Sequence, residues 1–143
     1  ACVSKLMNLL LPPLQRRALV RVQNPIVLDD KMEPEPDVAI VKQRDDDYSV
    51  SHPRPNDIII VIEVADTTLE YDKGVKLSRY AQANIEEVWI VNLVERRVEI
   101  YKAVILFKDR AAAYRTHTDY YTDDVISFSA FPNLEIAVAD ILP

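Results

Sequence analysis

Two carboxylates and two amines occupy positions from which they could carry out phosphodiester chemistry. Asp37 precedes a short apolar run and Glu63 closes a longer one, while Lys73 and Lys76 follow in the next segment. Asp37 and Glu63 can share the oxygen ligation of Mg²⁺, which also accepts waters and substrate phosphate oxygens. The ion would polarise a phosphorus centre and lower the pKa of a water, and a nearby ammonium would orient that water or stabilise the transition state.

The same residue types also have a purely structural interpretation. A buried carboxylate is costly unless a cation, a proton or hydrogen-bond donors meet it. An ion pair of Lys76 with Glu63 or with Asp37 could therefore serve only to hold a helix against a sheet. Spacing alone does not choose between such a pair and a metal site, so both interpretations stay open at this point.

A strand–helix–strand unit positions these residues. Residues 58–62 form an unbroken β-branched run, which predicts a strand buried on both faces. Residues 69–83 predict a helix, and residues 88–94 predict a second strand parallel to the first. Ligands of such units gather beyond the carboxyl ends of the strands, which is where Glu63 is expected.

The predicted helix carries one stripe of residues toward the sheet, at positions 73, 76, 77, 80, 81 and 84. Leu77, Tyr80 and Ala81 of this stripe should pack against the strands. Lys76 then lies at the edge of the packed face, and its amine can reach back to the end of the Glu63 strand.

The remaining apolar runs predict further short elements. In chain order they are a helix over residues 3–12 that ends at Pro12 and Pro13, strands over 18–28 and 38–41, an antiparallel strand over 97–101, strands near 120 and over 125–128, and a short strand with a helical turn over 134–142. The tract 102–119 shows no clear period. The predicted fold class is α/β, a mixed sheet with a central βαβ unit and a helix on each face.

Composition narrows the functional classes. The chain has 143 residues, 49% of them hydrophobic and 28% charged, which suits one domain with a real core. Its 23 acidic and 17 basic residues give a net charge of −6, which argues against a nucleic-acid coat protein with a basic face. A metal-dependent nuclease is not excluded, because its site is acidic and the ion inverts the local charge.

Cysteine and membrane patterns point to a cytoplasmic protein. Cys2 is the single cysteine, so no internal disulfide framework exists and a reducing compartment is expected. No run approaches the roughly 20 apolar residues of a membrane helix.

Glycine is unusually scarce, with Gly74 alone against an average near 7%. Sheet proteins normally need glycine in their turns, so we expect that the chain lacks flexible loops or a terminus. One glycine cannot build the nucleophile elbow of a Ser/His/Asp hydrolase or a glycine loop that cradles phosphate. Both classes are therefore excluded.

Three stretches of the sequence resemble a known family. They are PEPDVAIV, IVIEVADTTLEYDKGVKLSRYAQANIEEVWIVNLVERRVEIY and the closing FPNLEIAVADIL. In combination they resemble the Uma family of restriction-endonuclease-like proteins, which is similar to the P-D-(D/E)-x-K nuclease superfamily. The resemblance covers residues 18–143 and is densest between 34 and 101.

The resemblance implies a Mg²⁺- or Mn²⁺-dependent endonuclease acting on DNA. It implies that Asp37 and Glu63 are catalytic metal ligands and that Lys76 is the catalytic amine. The usual lysine of the superfamily would fall on Ala65, so the resemblance implies that the amine has moved to the helix. Lys73 is the weaker candidate for it.

Two further residues would support this site. Asp72 stands four residues before Lys76, a spacing that would let it hold the amine. Gln23 lies on the neighbouring predicted strand and would also contribute.

The resemblance also implies a domain organisation. Residues 1–143 would form a single restriction-endonuclease-like domain. Family members begin with more sequence, including an upstream Glu that joins the site, so we expect this chain to lack part of it. Two symmetric sites cut both strands of a duplex most easily, so a homodimer is expected.

The alternative is a catalytically inactive member that keeps the fold as a binding or dimerisation module. The enzyme requires that Asp37, Glu63 and Lys76 converge on a cleft that solvent can reach. The binding module instead predicts a closed ion pair with no room for a hydrated metal.

Overall fold

The computed structural model describes residues 2–66 and 69–143, with the side chains of residues 69–72 outside the described part. Six of its strands form one mixed sheet in the order β1-β2-β3-β4-β5-β6, and two more form a small separate sheet. The elements in chain order are α1 (Cys2–Leu14), β1 (Ala18–Val22), β2 (Val38–Lys42), a 3₁₀ turn (Pro55–Asp57), β3 (Ile58–Ala65), α2 (Leu69–Gln82), β4 (Glu87–Asn92), β5 (Arg97–Ile105), β6 (Ala113–Tyr120), β7 (Val125–Ser127), β8 (Glu135–Ala137) and α3 (Val138–Ile141).

The centre of the sheet is the predicted βαβ unit. Strands β3 and β4 pair in parallel, with Glu63 opposite Ile90, and α2 makes the crossover between them. Every other neighbouring pair in the sheet is antiparallel. The α/β class with a mixed sheet is therefore confirmed.

Alternation along the strands divides the core between two helices. Ile60 and Ile62 of β3 belong to the cluster that contains Leu10 of α1, whereas Val61 belongs to the cluster that contains Tyr80 of α2. Successive side chains of a strand point to opposite faces, so Glu63 shares the α2 face with Val61.

The small sheet and the last helix cover the α1 face. Strands β7 and β8 pair through Ile126 and Ile136, and both side chains join the cluster of α1. The predicted strand and helical turn near the carboxyl end are thus present as β8 and α3. None of the helices in the described ranges has the length and apolar character needed to span a bilayer.

Several boundaries differ from the predictions, and three of the differences have a clear physical reason. Helix α1 continues through Pro12 and Pro13 to Leu14, whose side chain is completely buried and favours one further turn. Strand β1 stops at Val22 because Gln23 has a φ of 51°, outside the extended region. Strand β6 fills much of the tract 102–119, which showed no clear period. It is an edge strand whose middle residues are exposed on both faces, so no alternation of apolar and polar residues marks it in the sequence.

Turns in the described ranges, and one position inside β5, reach the left-handed region without glycine. The residues with positive φ are Arg16, Gln23, Asp47, Tyr48, Asn84, Arg96 and Ala103. Each such residue costs about 1–3 kcal/mol of backbone strain. Gly74 lies inside α2, where a Cβ would meet no atom within 4 Å. The scarcity of glycine is thus accommodated by strained non-glycine turns.

Replacement of Ile60 by Ala tests the core on the α1 side. Ile60 is completely buried, so the substitution removes buried methyl groups and leaves a cavity that costs about 2–5 kcal/mol of unfolding free energy. Urea denaturation measures the loss. Val50→Ala is the control, since Val50 is 87% exposed and should change stability by no more than about 0.5 kcal/mol. Equal stabilities of the two variants would contradict the assigned core.

Candidate active site

Asp37 and Glu63 meet where β2 begins and β3 ends. The antiparallel register pairs Val38 with Ile62, so the residue before one faces the residue after the other. The backbone N–H of Asp37 donates to Oε1 of Glu63 at 3.2 Å, and the N–H of Val64 donates to Oδ2 of Asp37 at 2.8 Å. Two reciprocal hydrogen bonds therefore hold the carboxylates at the same edge of the sheet.

Helix α2 brings two more polar groups to Glu63. The Tyr80 hydroxyl donates to Oε2 at 2.7 Å, and Nζ of Lys76 lies 3.6 Å from the same oxygen. Residues four apart share a helix face, so one face of α2 supplies both groups. Glu63 is only 4% exposed, whereas the Lys76 side chain is 43% exposed. The Lys76 amine therefore lies between the buried Glu63 carboxylate and the solvent.

Burial and hydrogen bonding act in opposite directions on Glu63. Desolvation raises the pKa of its carboxyl above the ordinary value, and the Tyr80 hydroxyl, the Lys76 charge and the Asp37 N–H lower it only in part. Burial and the Glu63 charge raise the pKa of Tyr80 so far that its hydroxyl stays a proton donor. Glu63 is consequently a carboxylate that gains from a further positive charge beside it.

A cavity of about 130 Å³ opens beside Glu63. Its volume far exceeds the roughly 10–15 Å³ that one water needs. The lining residues among those described come from α2, from the end of β3 and from the segment before β2, and are Leu28, Pro34, Glu35, Glu63, Lys76, Arg79 and Tyr80. Asp37 is not one of them, so the cavity approaches the acidic pair from the Glu63 side.

The other predicted site residues lie further from Glu63. Nζ of Lys73 is 3.4 Å from Oε1 of Glu99, so this amine supports a different carboxylate. Gln23 donates its backbone N–H to the carbonyl of Asp37 at 3.1 Å, and its side chain is exposed. The side chain of Asp72 is outside the described residues, and its predicted support of Lys76 stays a prediction.

Glu99 is a second buried carboxylate on the α2 face, and it is fully hydrogen-bonded. Tyr101 and Lys73 donate to Oε1 at 2.7 and 3.4 Å, while Asn92 and Arg97 donate to Oε2 at 2.9 and 3.0 Å. Burial opposes ionisation of Glu99, yet these donors together lower its pKa to about 2. Glu99 is therefore a stably ionised carboxylate that anchors the side chains of Lys73, Asn92, Arg97 and Tyr101.

A metal could in principle use Glu99 together with His117 and Asp119, since one ligand atom of each lies within 4.8 Å of the others. An ion there would have to displace Lys73 and Arg97 from the Glu99 oxygens. Cationic side chains thus already occupy the carboxylate oxygens of Glu99. Glu63, in contrast, borders an open cavity.

The sequence carried signals for some of the residues that the predictions passed over. Tyr80 lies inside the second stretch that carries the family resemblance, but the helix stripe predicts only that it packs against the sheet. Glu99 alternates with Val98 and Ile100, which places it on the α2 face. Glu35 had no signal, because only the fold brings it to the cavity.

Comparisons with known proteins agree with this architecture. The family model Uma2, described as "Putative restriction endonuclease", matches residues 1–139. Five chains of solved structures match this chain. One of them, described as "a putative nuclease belonging to DUF820 from Anabaena variabilis ATCC 29413", is similar with a TM-score of 0.67 and 14% sequence identity. That alignment covers 98% of this chain and 75% of the other chain. A search of curated proteins found no match. At this identity the structural likeness shows the fold.

Replacement of Glu99 by Gln tests the anchor role through pH. Because the pKa of Glu99 is lower in the folded protein, its ionised carboxylate stabilises the fold fully at pH values above the ordinary pKa of 4.5. This stabilisation is lost as the pH falls toward about 2. We expect the variant to be about 3–5 kcal/mol less stable than wild type at pH 7, with the gap narrowing between these two pH values. Urea unfolding at several pH values measures it.

The control for this experiment is Glu95→Gln, an exposed residue of the β4–β5 turn. It should change stability by no more than about 0.5 kcal/mol at any pH. A Glu99→Gln variant as stable as wild type at pH 7 would contradict the anchor.

Replacement of Tyr80 by Phe tests the hydrogen bond to Glu63. Because the hydroxyl lowers the carboxyl pKa, its loss should raise that pKa further, which carboxyl NMR shifts would show. The loss of stability should reach about 1.5–3 kcal/mol where Glu63 is ionised and shrink as the pH falls through its carboxyl pKa, which lies above the ordinary value. Tyr120→Phe is the control, since Tyr120 makes no side-chain hydrogen bond within the described ranges. An unchanged Glu63 titration would count against the assigned contact.

Proposed function

The chain belongs to the Uma2 family, and we propose that it is a divalent-metal-dependent endonuclease that hydrolyses phosphodiester bonds of DNA. The observation that carries the proposal is the meeting of Asp37 and Lys76 at Glu63, which lines a cavity large enough for water. Family membership gives the reaction class, and the geometry supplies residues suited to it. We further propose that residues 1–143 act as one domain.

The donor set fits Mg²⁺ or Mn²⁺. Both ions prefer carboxylate oxygens and waters, and Asp37 with Glu63 offers such oxygens at one sheet edge. Within the described ranges, Oδ1 of Asp37 accepts no hydrogen bond. A carboxylate has about four lone-pair sites, so Glu63 keeps capacity beyond the donors it already has. Glu35 lines the same cavity and could add a third carboxylate.

Each of the chain's residues has a distinct task in this proposal. A bound divalent ion would supply polarisation of the phosphate and a lowered pKa for the attacking water. Asp37 and Glu63 hold the ion. Tyr80 and the Asp37 N–H fix the Glu63 carboxylate by one hydrogen bond on each oxygen.

Lys76 takes the part of the amine in this proposal. Ala65, where the superfamily's usual lysine would fall, has no side-chain donor. Lys76 instead reaches the site from α2, with Nζ 3.6 Å from Glu63 and within the lining of the cavity. From there the ammonium can donate to the attacking water or to a phosphate oxygen as negative charge develops.

A second candidate is a binding or dimerisation module without catalysis. The near-complete burial of Glu63 and its contact with Lys76 favour it, because both are typical of a structural ion pair. The cavity beside Glu63 favours the enzyme instead.

A homodimer would place two such sites on opposite strands of a duplex, and we propose it as the form that makes double-strand cuts.

Nicking of supercoiled plasmid tests the proposal. Purified protein should nick DNA with Mg²⁺ or Mn²⁺ and should stop when a chelator is added. Glu63→Gln and Asp37→Asn each remove a ligand charge, and we expect both to lower the rate by roughly 10²-fold or more. Lys76→Met should also lower it, because the amine is lost.

The matched control is Glu86→Gln, an exposed glutamate before β4 at the other end of the sheet. It should nick at the wild-type rate. Nicking that survives both Glu63→Gln and Asp37→Asn would come from another site or another protein, and it would contradict the proposal.

A further inference from the structure

Arg79 lines the cavity beside Glu63 with a cationic side chain that makes no ion pair with the residues that the structure describes. It is exposed and follows Lys76 by three residues on α2, so the two side chains are neighbours on one helix face. Among the lining residues that the structure describes, only Lys76, Arg79 and Tyr80 have donor side chains. Lys76 and Tyr80 both contact Glu63. The guanidinium of Arg79 has no side-chain hydrogen bond or ion pair in this part of the chain.

The neighbouring cations on the α2 face are different. Lys73 and Arg97 are both within 3.4 Å of Glu99 oxygens, so their charges are neutralised in place. Glu35 lies on the wall of the same cavity as Arg79, yet these two residues form no ion pair. Arg79 therefore leaves a positive charge at the cavity that no carboxylate of the described chain cancels.

A nuclease with an acidic site needs such a charge. The chain carries a net charge of −6, and Glu35 and Glu63 both line the cavity, so DNA phosphates would be repelled there unless cations met them. A guanidinium presents a planar fork of donors that matches two phosphate oxygens at once. Leu28 and Pro34, which also line the cavity, have no side-chain donors.

We propose that Arg79 binds a non-bridging oxygen of the DNA backbone, at the scissile phosphate or the one beside it. The inference rests on the proposed function and adds to it a residue that touches substrate. Arg79 holds the phosphate against the cavity from the α2 side, while Asp37 and Glu63 hold the ion.

Duplex binding at several salt concentrations tests this role. A fluorescent DNA duplex is titrated with protein in Ca²⁺, another hard cation that takes oxygen ligands, and anisotropy reports the affinity. Arg79→Ala should weaken binding about tenfold. The slope of log affinity against log salt should fall by about 0.9, the value for one lost phosphate contact. In nicking assays KM should rise more than kcat falls.

Two further variants of Arg79 and one control at Arg17 separate the effects of charge and of folding from the geometry of the contact. Arg79→Lys keeps the charge but loses the fork, so the salt slope should stay while the affinity falls partway. Arg79→Gln replaces the Ala variant should the latter lower the thermal unfolding midpoint. Arg17→Ala removes one exposed charge from the α1–β1 turn, at the end of the sheet away from Glu63, and should bind as wild type does.

The outcomes separate the two proposals. If wild type cuts DNA and Arg79→Ala retains its affinity and salt slope, or loses no more than Arg17→Ala, the role of Arg79 is wrong and the nuclease stands. If wild type neither binds nor cuts DNA with either metal, the proposed function is wrong and the role of Arg79 falls with it.

Discussion

The reciprocal hydrogen bonding of Asp37 and Glu63 is the contact from which the rest of the site is built. Glu63 lies near the carboxyl end of β3 at the centre of the sheet, almost completely buried, and Asp37 meets it from the residue before β2. A carboxylate in that position is costly without donors. The parallel crossover returns α2 over the same face, where Tyr80 donates a hydrogen bond to Glu63 and Lys76 places a positive charge 3.6 Å from it. The need to satisfy one buried acid thus connects the sheet register, the helix face and the candidate chemistry.

The α2 face of the sheet carries two buried carboxylates, and their surroundings shift the two pKa values in opposite directions. Glu99 is surrounded by donors, and its pKa falls to about 2 despite burial. Glu63 has fewer donors, and burial raises its pKa. Environments that push two similar groups apart commonly separate a structural role from a chemical one. Lys73 serves Glu99 and Lys76 serves Glu63, so adjacent turns of α2 support an anchor and a candidate metal ligand.

The central unit could be predicted from sequence because its pattern is local. A β-branched run, an amphipathic stripe and a second apolar run define β3, α2 and β4. The predicted strand near residue 120 located only the end of edge strand β6, because most residues of β6 face solvent and burial imposes no alternation on them. Glu35 and Arg79 could not be assigned to the cavity, because their meeting depends on a segment that joins β1 to β2 and on the packing of α2. The contacts of Glu63 with Asp37 and Lys76 needed only the strand register and the helix period.

Manganese soaked into crystals of the protein tests the central claim most directly, since anomalous scattering locates the ion without reference to activity. The account predicts a peak about 2–2.5 Å from carboxylate oxygens of Asp37 and Glu63, and its absence in crystals of Glu63→Gln. A peak at Glu99, His117 and Asp119 in its place, or no peak in crystals whose cavity is open to solvent, would contradict it.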